Sequence, residues 1–245
     1  MCNQHPVINN RRQFLRLATV GAGALMLAGT LPATMVHAAP TPAPVPKPSN
    51  SLEPKHALAR LMEGNHRYVE GVTKRHDFIN EREALTSGQN PFAAVLGCAD
   101  SRIAPEYAFD TGRGDLFAVR VAGNFVTDDG LASLEYAVVV LGTPLIMVLG
   151  HQRCGAISAG VQAARDNTQF PGHIQGLAEA LKPSVNKVLN APGDLLENAT
   201  TQNVIDTVAQ LKSRSSLLAD AITQGKLQIV GGIYELDSGK VKLIS

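Results

Sequence analysis

The chain has 245 residues, of which 44% are hydrophobic and 18% charged. This composition supports one α/β domain with a hydrophobic core and excludes a disordered or coiled-coil protein. The formal net charge of +1 gives no electrostatic case for binding nucleic acid.

The N-terminal residues predict an export signal. Arg11 and Arg12 precede a long apolar segment interrupted by glycines, and Val36-His37-Ala38 ends it with the small residues of a cleavage site. We predict a twin-arginine signal peptide over residues 1–38, a periplasmic or secreted mature protein, and no membrane association after cleavage. A retained membrane anchor is the alternative, because the segment is about long enough to span a bilayer.

A proline-rich stretch separates this signal from the folded domain. Prolines alternate with other residues over 39–50, which predicts an extended linker. The domain itself is expected over residues 51–245. It begins with a helix near Pro54 and a short helix over 77–85, and His56, His66 and His76 in this region are expected to be solvated.

Alternating strands and helices follow along the chain. Strands are predicted at residues 91–97, 115–121, 144–149, 226–236 and 241–244, and helices at residues 104–109, 128–141 with Asp128 or Asp129 as the cap, after Cys154, 174–189 and 195–224. This order predicts an α/β fold with helices on both faces of a mostly parallel central sheet. We expect the strand order 2-1-3-4 plus a C-terminal edge strand.

Two of these strands end in ligand-type side chains. Cys98 and Asp100 follow the first strand, and His151 and Cys154 follow the third. Because ligands bind outside the carboxyl ends of parallel strands where the winding reverses, the two sets are expected to converge. Two sulfurs, an imidazole and a carboxylate suit zinc better than magnesium or calcium.

An exported protein with two remaining cysteines also permits a disulfide. Removal of the signal takes away Cys2, so a bridge between Cys98 and Cys154 is the structural alternative to a metal site. Twin-arginine export carries folded proteins, and a metal inserted before export would hold both thiolates. Twin-arginine export therefore suits a protein that has already bound its cofactor.

The stretches Cys-Ala-Asp-Ser-Arg at 98–102 and His-Gln-Arg-Cys at 151–154 resemble the signature of the β-class carbonic anhydrases, Cys-x-Asp-x-Arg and His-x-x-Cys. The resemblance extends to residues 120–124 and 232–240 and spans roughly residues 54–245. It implies one Zn²⁺ per chain, held by Cys98, His151 and Cys154, with water or the carboxylate of Asp100 as the fourth ligand. The implied reaction is the reversible hydration of CO2 to bicarbonate and a proton by zinc-bound hydroxide.

The resemblance also assigns a role to Asp100 and Arg102. A guanidinium two residues from a carboxylate can hold it bidentately, and the pair is then expected to orient the nucleophile. Released from Arg102, Asp100 would ligate zinc and close the site. The alternative is that Asp100 or Ser101 simply caps the helix before Pro105.

Further expectations follow from the same resemblance. Gln89 is expected to donate to substrate from a neighbouring subunit of a homodimer or homotetramer, or else to be an ordinary loop residue, and the Gly155 N–H could stabilise a bound anion. Some relatives have a second bicarbonate site built from a tryptophan, an arginine and a tyrosine. Arg120 and Tyr136 match the last two, but the chain has no tryptophan and Val95 takes its position, which favours the always-open subclass.

Three other functions compete with CO2 hydration. CS2 or COS hydrolysis is a close rival, because these molecules are isoelectronic with CO2. A non-catalytic zinc-binding scaffold closed by Asp100 would not need Arg102. A redox protein using Cys98 and Cys154 would lack the usual Cys-x-x-Cys spacing.

Overall fold

The computed structural model of the protein describes residues 52–75, 78–86 and 88–244. The predicted export signal (1–38) and proline-rich linker (39–50) lie outside the described residues, as does His76, and remain predictions. Every described residue belongs to one compact unit, Ala43–Ser245. Within the described ranges, no helix combines the length and apolar character needed to cross a bilayer.

A five-stranded sheet forms the centre of the structure. Its strands are β1 (Ala93–Gly97), β2 (Leu116–Arg120), β3 (Leu145–His151), β4 (Gln228–Tyr234) and β5 (Val241–Ile244). They lie in the order β2-β1-β3-β4-β5, with the first four parallel and β5 antiparallel to β4. The predicted fold class, strand order and C-terminal edge strand are confirmed.

The helices are α1 (Pro54–Val69), α2 (Phe78–Ala84), α3 (Pro105–Ala108), α4 (Asp128–Val139), α5 (Gly155–Arg165), α6 (Ile174–Val188), α7 (Leu195–Arg214) and α8 (Ser216–Thr223). Thr127, and not Asp128 or Asp129, caps α4, because its side chain accepts a hydrogen bond from the Gly130 N–H. The two aspartates lie instead in the first turn, where the helix dipole favours negative charge.

The two central strands are buried on both faces, as expected for a covered parallel sheet. Alternate side chains point to opposite faces, so Val95 and Met147 pack in a cluster that includes Leu61 of α1. Ala94 and Ile146 point the other way, into a cluster that includes side chains of α4 and α7. The carboxyl ends of β1 and β3 are therefore held side by side by packing on both faces.

Strand β3 is longer than the sequence predicts. It was expected to end at residue 149, but Gly150 pairs with Ile233 and His151 with Tyr234 of β4. His151 is thus the last residue of a central strand and is fully buried. Pairing with β4 therefore fixes the backbone of His151, which the sequence had placed in the loop after the strand.

The helix predicted over residues 195–224 is broken in two. Ser215 has extended backbone angles, φ −123° and ψ 114°, and separates α7 from α8. Its hydroxyl accepts from the Leu218 N–H at 3.1 Å and donates to Oε1 of Glu135 at 2.6 Å. The hydroxyl satisfies a backbone donor at the new helix start, and this stabilises the break.

We expect Ser215→Ala to lower the free energy of unfolding by about 1–2 kcal/mol, because a buried cap and its bond to Glu135 are lost together. Urea denaturation would measure this. Ser213→Ala is the matched control, since that hydroxyl is exposed and only donates to the Gln210 carbonyl at 3.4 Å. Equal effects of the two substitutions would contradict the capping role.

Candidate metal centre

Three ligand-type side chains meet at the carboxyl ends of β1 and β3. Cys98 directly follows β1, His151 ends β3, and Cys154 immediately precedes α5. The strands are neighbours, with Gly97 beside Leu149. The two sulfurs and an imidazole nitrogen all lie within 4.8 Å of one another, and all three residues are buried. The predicted convergence of the two half-sites is confirmed.

The two cysteines are free and not bridged. Their sulfurs lie 3.9 Å apart, far beyond the roughly 2.05 Å of a disulfide bond. The hydrogen bond between the two sulfurs lowers the pKa of the Cys98 thiol, and the Gly123 N–H, 3.3 Å from the Cys98 sulfur, acts in the same direction. The same bond and burial raise the pKa of Cys154. The sulfur contact and the backbone N–H thus favour a thiolate at this site.

His151 is oriented as a ligand. Its Nδ1 lies 2.8 Å from the Gln152 carbonyl oxygen. Because a carbonyl only accepts, Nδ1 carries the proton and Nε2 presents its lone pair. Buried Nε2 has no hydrogen-bond partner among the described residues. This atom, with two sulfurs beside it, fits a zinc ion held by three protein ligands.

Asp100 and Arg102 form a bidentate ion pair next to these ligands. Arg102 Nε and Nη2 donate to the two carboxylate oxygens at 2.9 and 2.7 Å, and the Arg102 backbone N–H adds a third bond at 2.9 Å. The guanidinium holds the pKa of Asp100 well below its usual range. Asp100 Oδ2 lies 3.8 Å from His151 Nε2, so the pair borders the ligand cluster.

The capping alternative for Asp100 is wrong. The cap of α3 is Ala104, with no side-chain hydrogen bond, so neither Asp100 nor Ser101 caps that helix. Arg102 instead reaches across to the second half-site, where Nη2 donates to the Arg153 carbonyl at 3.3 Å. Arg153 has a positive φ of 52° in the turn between His151 and Cys154. Arg102 therefore bridges the loop that carries Cys98 and the turn between His151 and Cys154.

Arg120 is a third element of the site. Its guanidinium donates to the carbonyl oxygens of Cys98, Asp100 and Ile103 at 3.0, 2.7 and 2.8 Å. Sequence reasoning did not assign this clamp, although the parallel pairing of Gly97 with Arg120 places Arg120 beside the start of the loop. The loop is thereby held through its backbone by a neighbouring strand.

Gln89 and Gly155 are the two predicted substrate-binding residues. Gln89 is exposed in the loop before β1, and its role at a neighbouring subunit's site stays a prediction. Gly155 is the first residue of α5, and open space surrounds the position a Cβ would take. An anion could thus approach the backbone there.

Sequence and structure comparisons agree on one family. The pattern of the carbonic anhydrase family matches residues 93–241. Carbonic anhydrase 2 of Mycobacterium tuberculosis is 41% identical over 191 residues, which cover 78% of this chain and 92% of that protein. Both matches include the segments that carry the ligand cluster.

Solved structures show the same fold. The β-carbonic anhydrase CcaA is similar with a TM-score of 0.61 and 27% identity, covering 77% of this chain and 95% of that one. A tetrameric β-carbonic anhydrase of the ascomycete Sordaria macrospora has a TM-score of 0.63 at 22% identity, covering 78% and 98%. Sequence and structure comparisons thus agree on the fold, and the family pattern spans the segments that carry Cys98, His151 and Cys154.

Proposed function

This chain belongs to the β-class carbonic anhydrases, and from that premise we propose that it catalyses the reversible hydration of CO2 to bicarbonate and a proton with one Zn²⁺ per chain. One observation carries the proposal. The cluster of Cys98, His151 and Cys154 lies directly beside the ion pair of Asp100 and Arg102. CO2 hydration requires metal ligands and an oriented carboxylate close to one another, and this arrangement supplies both.

Cys98, His151 Nε2 and Cys154 would hold the zinc ion. When bound, zinc supplies a Lewis acid that lowers the pKa of a coordinated water toward about 7. Three protein ligands leave the fourth position of a tetrahedral site open. Burial of all three side chains excludes bulk water from the ligand atoms.

Asp100 orients the nucleophile in this proposal. With Arg102 bound to both of its oxygens, the carboxylate stays ionised and can accept a hydrogen bond from the attacking hydroxyl group. This bond would direct the oxygen lone pair toward the CO2 carbon. The contact of Arg102 with the Arg153 carbonyl keeps Arg102 in place and Asp100 turned toward it, so that Asp100 would not ligate the bound ion.

We assign the protein to the always-open subclass. Asp100 is engaged by Arg102, and Val95 is fully buried in β1 where relatives with a second bicarbonate site have tryptophan. The guanidinium of Arg120 is occupied by three carbonyl groups, and the Tyr136 ring lies against Phe117. These contacts support a site that does not close at neutral pH.

The cellular setting is part of the proposal. The twin-arginine motif supports export to the periplasm or beyond after removal of residues 1–38. A homodimer or homotetramer would bring Gln89 to a neighbouring subunit's site, and the Gly155 N–H would contact bound bicarbonate. Cross-linking and mass measurement of the mature protein would test the assembly.

Stopped-flow CO2 hydration at pH 7 and pH 8.5, with zinc content measured on the same sample, tests the proposal. Because the pKa of Asp100 is far below both values, the ion pair with Arg102 persists at both, and activity is expected at each. Zinc is expected near one ion per chain. Activity only at pH 8.5 would contradict the always-open assignment.

Zinc without CO2 hydration at either pH would contradict the reaction itself. Hydrolysis of CS2 or COS by that same sample would then identify the substrate class. If the zinc-bound protein acts on none of the three substrates, the result would support the non-catalytic zinc-binding scaffold. A chain with no zinc and a redox-active cysteine pair would refute the metal site altogether.

A further inference from the structure

We propose that Asn203 is a positioning residue for the zinc ligand Cys98, acting from α7 through the backbone of Gly123. The inference rests on zinc binding by Cys98, as proposed above. Asn203 is 80 residues from Gly123 in the chain and is 3% exposed. Two hydrogen bonds connect Asn203 with the Cys98 sulfur, one to the carbonyl of Gly123 and one from its N–H.

The first bond joins the sulfur to the backbone. The Gly123 N–H donates to the Cys98 Sγ at 3.3 Å. An N–H placed against a thiolate withdraws negative charge from the sulfur and also fixes its direction. Two thiolates donate more charge to zinc than imidazoles do, so such a bond helps the ion remain a Lewis acid.

The second bond holds the glycine. The Asn203 side-chain amide donates to the Gly123 carbonyl at 2.8 Å, and Nδ2 is the donor because that carbonyl can only accept. In the absence of this amide the buried carbonyl loses the partner that restrains it. The N–H and the carbonyl of Gly123 belong to adjoining peptides that meet at its Cα, so the bond to Asn203 restrains the N–H through φ and ψ of the glycine. Without that bond these angles can change, and the N–H would turn away from the sulfur.

Backbone conformation and packing both require glycine at position 123. Its φ is +82°, and a Cβ there would lie 2.9 Å from Leu181 and 3.3 Å from Ala156, the second residue of α5. Only glycine suits this conformation and space. A glycine backbone has a wide range of φ and ψ, and the Asn203 amide restrains that of Gly123 by holding its carbonyl.

The test compares Asn203→Leu with Asn198→Leu in the mature protein. Leucine is close to asparagine in shape but has no donor. Asn198 lies on the same helix, and its amide likewise donates to a backbone carbonyl, that of Pro192 at 2.9 Å. Zinc affinity would be measured by competition with a chromophoric chelator. The environment of the Cys98 sulfur would be measured by the thiolate-to-metal absorption band of the cobalt-substituted protein.

We expect N203L to bind zinc about tenfold more weakly, as is typical when a group that hydrogen-bonds a ligand is removed, and to shift the cobalt absorption band. N198L should match the wild type in both measurements. Asn203→Ser, which is smaller and more polar than leucine and so disturbs the packing at this buried position less, is expected to change both in the same direction. It decides the question if N203L does not fold.

Wild-type zinc affinity and an unshifted band in the Asn203 variants would overturn the inference. The same holds if urea unfolding shows a less stable metal-free protein while both metal readouts stay unchanged, because the role would then be structural only. A wild-type protein that binds no zinc would instead overturn the proposed function, and this inference with it.

Discussion

Replacing Cys98 by serine is expected to remove zinc binding and CO2 hydration together. A serine hydroxyl stays protonated at neutral pH and is a poor zinc ligand, whereas the Cys98 thiolate is favoured by its hydrogen bonds from Cys154 and Gly123. The loss of zinc affinity should exceed the roughly 100-fold seen when only a partner of a ligand is removed. Zinc content after dialysis and stopped-flow hydration measure the two effects.

Ser101→Ala is the control for this substitution. Ser101 is exposed in the same loop, three residues beyond Cys98, and should keep zinc and activity unchanged. Circular dichroism would show that the serine variant at position 98 is folded. Stoichiometric zinc and a wild-type rate in C98S would rule out Cys98 as a ligand.

Replacing Arg102 by alanine is expected to lower kcat/KM for CO2 by about 100-fold while zinc content stays near one per chain. The substitution removes both side-chain bonds to Asp100 and the bond to the Arg153 carbonyl. Freed Asp100 lies next to His151 Nε2, so it can turn toward the ion and occupy the open position. Arg102→Lys should not restore the rate, because a lysine cannot hold both oxygens in the same plane.

The chain contains a closely matched control for this ion pair. Arg165 holds Asp166 with the same two nitrogens at 2.8 Å each, on the exposed C-terminal end of α5. Arg165→Ala should therefore leave hydration unchanged. If R102A hydrates CO2 as fast as R165A at both pH 7 and pH 8.5, then the pair does not orient the nucleophile.

The ligand set could be read from local sequence, whereas the strand order was an expectation that the structure confirms. The apolar runs of β1 and β3 have the length and composition of buried strands, and each leads directly into ligand-type residues. Parallel neighbours bring such strand ends together, so Cys98, His151 and Cys154 were predicted to meet. The Asp100–Arg102 ion pair also followed from local sequence, because groups two residues apart on a non-helical segment lie within reach of each other, here across a turn at residues 101 and 102.

Other features required the folded chain. The pairing of β4 extends β3 to His151, and the Glu135 carboxylate, 80 residues away, holds the hydroxyl at the break at Ser215. The clamp of Arg120 and the contact of Asn203 with Gly123 likewise join segments far apart in sequence.

By itself, therefore, the sequence determined which atoms could bind zinc and at which end of the sheet. Only the tertiary structure decided which hydrogen-bond partners orient those atoms. A strand or a short motif depends on the periodicity and identity of neighbouring residues. The partner of a buried carbonyl or thiolate instead depends on which distant backbone and side chains the packed core brings within about 3 Å.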